Sequence, residues 1–351
     1  MTIIKHTVKS LYTQSQHAFT ARPRPSTDIF SQFINPCKKV NIIGAPFAKG
    51  QPLLGVDRGP NAIRNGGLIK RLQKDDWIIN DTGDLDFTLI THNTQNDSSE
   101  MKKKLSDRVL NPYLVSHANQ MVYQATRKSH ESNDFTLALG GDHSIAIGTL
   151  AGALKARTNT GIIWVDAHGD INTPITSDSG NIHGMVISFL MNYHNVRNDV
   201  PYFSWLNDVP IFDPRNNLVY VGLRDVDAGE KRIMKEFGIK AFTMYELDKF
   251  GIGKVMEMAM DHILNRIQRP IHLSFDIDSL DPTFAPSTGT RVAGGLTYRE
   301  AYYICESIAE TGQLCSMDLV EVNPLLNETG ANATVDMANG LIASALGNTI
   351  M

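Results

Sequence analysis

Short apolar runs alternate with longer amphipathic segments along most of the chain. Seven runs of four to seven residues are rich in Val, Ile, Leu and Phe, which predicts buried strands. They are Val40–Ile43, Phe135–Leu139, Gly161–Val165, Leu218–Val221, Ala241–Met244, Ile271–Phe275 and Leu314–Val320. Continuous apolar runs, rather than alternating ones, are typical of parallel strands with helices on both faces.

Apolar residues at helical spacing fill the segments between these strands. The predicted helices are Pro60–Leu72, Asn111–Lys128, Ile145–Arg157, Lys231–Phe237, Gly253–Arg266 and Tyr298–Glu310, with a last helix over residues 336–348. The alternation predicts an α/β fold of three α/β/α layers with a mostly parallel central sheet. The polar stretches Thr91–Glu100 and His194–Asn217 are predicted excursions. Because no linker interrupts the pattern, residues 39–351 are predicted to form a single domain.

Residues 1–38 form an N-terminal extension of different composition. The first 30 residues contain Lys5, Lys9, Arg22 and Arg24 but one acidic residue, Asp28. This partly resembles a mitochondrial transit peptide, although arginine is sparse. We favour an extension that is disordered or docked on the surface. A cytoplasmic location is therefore expected, with the mitochondrial matrix as the alternative.

Composition excludes several classes of protein. The 351 residues carry a formal charge of -4, so there is no basic footprint for nucleic acid. No apolar run approaches the roughly 18 residues that span a membrane, so no membrane partner is expected. Three cysteines are too few for a disulfide framework, which indicates a reducing compartment.

Residues with chemically active side chains collect just after five of the predicted strands. The segments LGGDHS, DAHGD, GLRDVDAGE, SFDIDSLDP and SMDLVEVNP each follow or close a strand, and the last one places Glu321 at the strand tip. In an open parallel sheet, ligands bind outside the carboxyl ends of the strands. Five separate segments are therefore predicted to converge on one edge.

Six of these residues predict a metal centre. In extended chain, alternate side chains project to one side, which would align Asp166, His168 and Asp170. The full predicted set is His143, Asp166, His168, Asp170, Asp276 and Asp278. Four clustered carboxylates would repel by several kcal/mol unless cations neutralise them, and two divalent ions balance four charges. Mixed carboxylate and imidazole ligands without thiolate suit Mn(II) better than a Cys-rich zinc site. Each motif alone also fits a turn or a helix cap, but their convergence favours the metal site.

Taken together, the motifs resemble the arginase family of the ureohydrolase superfamily. The match runs from about Val40 to the end of the chain and includes GAPFAKGQPLLGVDRGP, LGGDHS, DAHGDINTP, SGNIHGMVISF, GLRDVDAGE, SFDIDSLDPTFAPSTGTRVAGGLTYRE and DLVEVNP. The resemblance implies an arginase/deacetylase-like fold with two Mn(II) ions per subunit, held by the same six residues. It also implies hydrolysis of L-arginine to L-ornithine and urea by a hydroxide that bridges the two ions.

The resemblance further implies roles for individual residues. Asp170 would move a proton to the departing amine, Glu321 would pair with the substrate guanidinium, and His183 would shuttle protons to solvent. The implied substrate-binding residues are Asn172, Ser179 and Asn181 for the carboxylate, Asp225, Asp227 and Glu230 for the amino group, and Thr290 near the guanidinium.

Some positions differ from the family pattern or concern assembly. Gly169 replaces a commoner Ala or Thr, and Asp178 adds a charge beside Ser179, where we expect it to point outward. Arg299 and Glu300 match residues that form ion pairs between subunits. The resemblance therefore implies a homotrimer.

Three alternatives stay open. An agmatinase-like enzyme would keep the metal ligands and act on a related guanidino substrate. A non-catalytic relative would be expected to have lost ligands, and a deacylase of related fold would use a single zinc ion. The complete ligand set, together with Glu321, favours arginase activity.

Overall fold

The computed structural model describes residues 33–34, 36–88, 90 and 108–349. Most of the predicted N-terminal extension and the polar stretch Thr91–Glu100 lie outside the described residues. No helix in the described part of the chain is long and apolar enough to cross a bilayer.

Eight parallel strands form the central sheet, in the order β2-β1-β3-β8-β7-β4-β5-β6. They are β1 Lys39–Ala45, β2 Ile78–Asp84, β3 Phe135–Gly140, β4 Gly161–Val165, β5 Leu218–Leu223, β6 Lys240–Thr243, β7 Ile271–Asp276 and β8 Leu314–Val320. All seven predicted strands are confirmed to within two residues at each end. The predicted α/β class with a parallel sheet is likewise confirmed.

Strand β2 was not predicted, because it is an edge strand with few apolar residues. It pairs only with β1, and most of its side chains are exposed. Arg64 holds the strand by ion pairs with Asp81, at 2.8 Å, and with Asp84. A strand covered on neither face needs no apolar pattern, so the sequence carries little signal for it.

The described residues contain eleven α-helices. They are α1 Gly59–Asn65, α2 Leu68–Lys74, α3 Pro112–Glu131, α4 Ala146–Ala156, α5 Val186–Leu190, α6 Val196–Asp199, α7 Pro214–Asn217, α8 Ala228–Phe237, α9 Met244–Leu264, α10 Tyr298–Ala309 and α11 Ala331–Ala345. The single helix predicted over Pro60–Leu72 is wrong, because Gly67 has φ 96° and divides α1 from α2. Helix α9 begins at a capping box formed by Thr243 and Glu246, and Gly251 (φ 74°) breaks its backbone. The helix predicted from Gly253 coincides with the part of α9 that follows this break.

The sheet separates two apolar cores, as expected for strands covered on both faces. In β4, Ile163 and Val165 belong to one core, while Ile162 and Trp164 belong to the other. Alternate residues of this strand therefore enter opposite cores. The central strands β3, β4, β7 and β8 are buried along their whole length. Their carboxyl ends are therefore held in fixed positions relative to one another.

The segment His194–Asn217 is not merely a polar excursion, and that prediction was wrong. Phe203 and Leu206 are fully buried in the second core. Arg197 is 1% exposed and its guanidinium donates to the carbonyls of Phe189, Leu190, Leu206 and Val209 at 2.5–2.9 Å. The guanidinium of this buried arginine therefore supplies hydrogen-bond donors to carbonyl groups at the end of α5 and within the segment itself.

The turn after β3 joins three strands at the carboxyl edge of the sheet. Gly141 N donates to Ala45 O at 2.9 Å, and Glu321 N donates to Gly141 O at 2.9 Å. A Cβ at position 141 would lie 1.9 Å from the carbonyl oxygen of Phe47. Only glycine lets the backbones of β1, β3 and β8 approach this closely.

Gly141→Ala is therefore expected to destabilise the fold by about 2 kcal/mol or more, because backbone must move to admit the methyl group. Gly253→Ala in α9 is the control, since its Cβ would meet only Tyr303 Oη, at 3.5 Å, and the ring carbon next to it. That variant should be neutral or slightly more stable. Urea denaturation measures both, and equal midpoints for the two variants would contradict this reading of the turn.

Candidate metal centre and active site

Three carboxylates from two strand ends surround the imidazole of His143. His143 lies in the 3-10 turn that follows β3, and its Nδ1 is 3.1 Å from Asp166 Oδ2. The same nitrogen is 3.0 Å from Asp170 Oδ2 and 3.1 Å from Asp276 Oδ2. All four residues are buried. We call these four residues the inner group.

A second group adjoins the first and shares Asp166 with it. His168 Nδ1 lies 3.2 Å from Asp278 Oδ2 and 3.4 Å from Asp166 Oδ1. We call Asp166, His168 and Asp278 the outer group. Donor atoms of His143, Asp166 and Asp276 lie within 4.8 Å of one another, and so do those of the outer group. The structure thus brings together all six residues that the sequence predicted as ligands.

The electrostatics of the inner group call for a cation. Burial and the charges of Asp278 and Asp166 raise the pKa of Asp276 well above its ordinary value. Burial alone would lower the pKa of His143, but the surrounding carboxylates raise it well above its ordinary value. A position that holds a proton so strongly also attracts a metal ion.

Unpaired atoms support the same conclusion. His143 Nδ1 and Asp278 Oδ1 are buried and have no hydrogen-bond partner among the described residues. His143 Nδ1 lies at 3.0–3.1 Å from three carboxylate oxygens without good hydrogen-bond geometry to any of them, an arrangement that suits a shared cation better than a single proton. Imidazole nitrogen and carboxylate oxygen are both ligands of divalent metals. The residues present therefore fit a pair of metal ions.

Turns after β4 and β7, rather than extended backbone, bring together ligand side chains that are two residues apart in the sequence. Asp166 Oδ1 accepts a hydrogen bond from His168 N at 2.7 Å, and Asp276 Oδ1 accepts one from Asp278 N at 2.8 Å. Strand β4 ends at Val165, and Asp170 has φ 47°. The prediction that one extended segment aligns the side chains was wrong. Carboxylates that cap their own turns converge instead.

A cleft of about 210 Å³ opens beside the metal centre. Its walls include His168, Asp170, Asn172, Ser177, Asp178, Ser179, His183, Gly184, Asp225, Asp227, Glu230, Asp276 and Thr290. Most of the substrate-binding residues predicted from the resemblance therefore line one cavity. Asn181 is not among the lining residues. Asp178 is exposed, as expected, but it also lies among the residues that line the cleft.

The Glu230 carboxylate binds backbone amides of two segments that line the cleft. Its Oε2 accepts from Asp227 N at 3.0 Å and its Oε1 accepts from Ile171 N at 3.2 Å. Asn172 Nδ2 donates to Asp227 Oδ2 at 2.7 Å, which links the segment after β4 to the start of α8. Burial raises the pKa of Glu230 to about 7. The carboxyl group of Glu230 is thus occupied by loop amides beside the cleft.

Glu321 and His183 lie next to each other near the inner group. Glu321 Oε1 accepts from His143 N at 2.8 Å and lies 3.6 Å from His183 Nδ1. Burial opposes a charge on His183, but the Glu321 carboxylate raises its pKa to about 9. Glu321 has φ 64°, a conformation that costs free energy in a residue other than glycine and is held here by the surrounding structure.

Other residues orient the ligands. Thr290 Oγ1 donates to Asp278 Oδ2 at 2.7 Å, so this predicted substrate-binding residue contacts a metal-ligand candidate. Trp164 Nε1 donates to Asp166 Oδ2 at 2.9 Å, and its ring stacks on His143 with centroids 4.2 Å apart. Arg224 donates to Asp278 O at 2.7 Å. The sequence did not predict these roles of Trp164 and Arg224. Trp164 lies within the apolar run of β4, and Arg224 cannot be told from an ordinary loop arginine by its sequence context.

Comparison with known proteins gives a family. The Arginase family model matches residues 38–347. An arginase of Glaciozyma antarctica is 43% identical over 92% of this chain and 91% of its own length. The mitochondrial arginase-2 of Mus musculus is 47% identical over 88% of this chain and 85% of its own length. The crystal structure of the Bacillus caldovelox arginase has a TM-score of 0.79 and 39% identity, covering 90% of this chain and all of that one.

The parallel sheet and the carboxylate-rich site at its edge thus define a metal-dependent hydrolase. The chain belongs to the arginase family. It is an enzyme of the class that cleaves the carbon–nitrogen bond of linear amidines.

Proposed function

We propose that this enzyme hydrolyses L-arginine to L-ornithine and urea, with two Mn(II) ions per subunit. The observation that carries the proposal is the double group of six ligand candidates beside a polar cleft. The relatives named arginase support the choice of substrate. The agmatinase-like alternative would keep the metal ligands and differ at the cleft wall.

The six ligand residues would hold the ions, with Asp166 in contact with both groups. When bound, the ions neutralise the clustered carboxylates and lower the pKa of water enough to supply hydroxide near neutral pH. The guanidinium of arginine is a resonance-stabilised cation and a poor electrophile, so neutral water would react slowly with it.

Protein side chains orient the substrate and move the protons. Glu321 pairs with the guanidinium and holds its central carbon over the metal centre. Asp170 lines the cleft and lies 3.0 Å from His143, where it takes a proton and passes it to the departing ornithine amine. His183, whose side chain is 19% exposed, exchanges protons between this site and solvent.

Polar residues on the cleft wall select the amino-acid end of the substrate. Asn172 and Ser179 are neutral groups suited to the carboxylate, and Asp227 is suited to the α-ammonium group. Asp225, Glu230 and Thr290 line the same cleft. Asn181, which precedes the next 3-10 turn, is proposed from the resemblance alone to bind the carboxylate, because it is not among the residues that line the cleft. A desolvated polar site rejects an analogue that lacks the matching group.

The proposal predicts that Mn(II)-loaded enzyme releases urea from L-arginine. Agmatine lacks the α-carboxylate, so its kcat/KM should be lower by about 10² or more. Side-by-side urea assays with equal enzyme measure both. Agmatine cleaved as fast as arginine would replace the proposal with the agmatinase-like alternative, and cleavage of neither would reject both.

His183→Asn should lower kcat by about 10²-fold at neutral pH, because the substituted side chain cannot carry a proton. Its metal content, measured by elemental analysis, should equal that of the parent enzyme. His194→Asn is the matched control, since His194 is exposed and lies off the cleft wall. An unchanged kcat in His183→Asn excludes the shuttle role.

Assembly and location stay predictions. The homotrimer is proposed from the resemblance, with Arg299 and Glu300 as interface residues. The side chain of Arg299 is 58% exposed, while the Glu300 carboxylate accepts from Thr297 N within its own helix cap. A cytoplasmic location is proposed, with the mitochondrial matrix as the alternative.

A further inference from the structure

Asp178 brings an additional carboxylate to the wall of the cleft. The residue is exposed and lies between Ser177 and Ser179, and all three residues line the cleft. Among the side chains that the structure describes, none forms an ion pair with Asp178. The guanidinium of Arg108 reaches the same loop, but it donates to the carbonyl oxygen of Ile175 at 3.4 Å. No described side chain therefore neutralises the charge of Asp178 by direct contact.

The backbone on both sides of Asp178 is tied to its surroundings. Ser177 Oγ accepts from Gly180 N at 3.0 Å, which closes a tight turn around Asp178. Gly180 O accepts from Leu110 N at 2.8 Å, and a Cβ at position 180 would lie 2.4 Å from the carbonyl oxygen of Arg108. Gly180 also has φ 73°, so this close contact depends on glycine. The turn therefore holds the Asp178 backbone at one position on the wall.

The wall offers a ligand carboxylate no arginine or lysine. Proteins commonly bind a carboxylate with an arginine, yet neither arginine nor lysine is among the described residues that line the cleft. Asn172 and Ser179 offer neutral groups, while Asp225 and Asp227 are exposed acidic residues on the same wall. Asp178 adds a further negative charge directly beside Ser179. A ligand carboxylate at Ser179 is therefore held by neutral groups against the repulsion of this neighbour.

The same charge acts differently on ligands with and without a carboxylate. Asp178 repels the α-carboxylate of an amino acid and attracts its α-ammonium group, so the two effects oppose each other. A ligand that has the ammonium group but no carboxylate charge experiences only the attraction. Asp178 therefore reduces the difference in affinity between the two kinds of ligand, since selectivity is a difference between two binding free energies.

We infer that Asp178 is a specificity-determining residue, which lowers the preference of the cleft for ligands that carry a free α-carboxylate. The inference rests on the proposed function, which places the substrate carboxylate beside Ser179. Because Asp178 is exposed, water and salt weaken its effect, so a change of about 3- to 10-fold in relative affinity is expected.

Asp178→Asn tests the inference, because asparagine has nearly the same shape and no charge. The probes are L-ornithine and L-ornithinamide, in which a neutral amide replaces the carboxylate. Isothermal titration of Mn(II)-loaded enzyme gives the ratio of their dissociation constants, and competition against L-arginine hydrolysis gives the same ratio if the heats are small. In Asp178→Asn this ratio should move about 3- to 10-fold in favour of L-ornithine.

Two variants and one change of solvent separate charge from shape. Asp178→Glu keeps the charge and should keep the parent ratio. Asp261→Asn removes an exposed charge from α9, away from the cleft wall, and should also keep the parent ratio. In about 1 M NaCl, where the Debye length is roughly 3 Å, the difference between Asp178→Asn and the parent should fall below about twofold. A purely structural effect of the substitution would not depend on salt in this way.

The outcomes separate the inference from the proposed function. A parent-like ratio in Asp178→Asn overturns the inference and leaves arginine hydrolysis intact. An equal shift in Asp178→Asn and Asp178→Glu, or a shift that persists at high salt, also overturns it, because either result indicates an effect of shape. A parent enzyme that binds neither probe and releases no urea from L-arginine would instead reject the proposed function.

Discussion

The structure depends on the cost of burying like charges together. Asp166, Asp170, Asp276 and Asp278 are each at most 6% exposed, in a region where water cannot separate their charges. Backbone amides and Trp164 hold these carboxylates in place but supply no full positive charge. The charge that balances them comes from a proton on the neighbouring imidazoles or from a bound metal ion, and the His/Asp groups are able to hold one.

Sheet topology brings the ligands to that place. The strands that precede or carry them, β3, β7 and β4, lie within one run of four neighbours, β3-β8-β7-β4. The remaining member of the run, β8, ends at Val320, directly before Glu321. All four strands are parallel, so all four carboxyl ends meet at one edge. Groups far apart in sequence therefore become neighbours without any long loop.

Much of this was predictable from the sequence, for a physical reason. Apolar runs such as Gly161–Val165 must be buried on both faces, which specifies a parallel sheet and places Asp166 at its edge. The hydrophobic pattern did not predict the edge strand Ile78–Asp84 or the break at Gly67. Most side chains of the edge strand are exposed, and the break depends on the backbone conformation of one glycine. The hydrogen bonds from loop amides to Glu230 could not be predicted either, because they depend on which backbone N–H groups the fold places beside this carboxylate.

The central claim is that the inner and outer groups each hold a metal ion, and the most direct test is a crystal structure of Mn(II)-loaded protein measured across the manganese absorption edge. Two anomalous peaks are expected, one beside His143 Nδ1 in the inner group and the other beside His168 Nδ1 in the outer group. The absence of peaks at these nitrogens, or manganese bound only elsewhere on the protein, would contradict it.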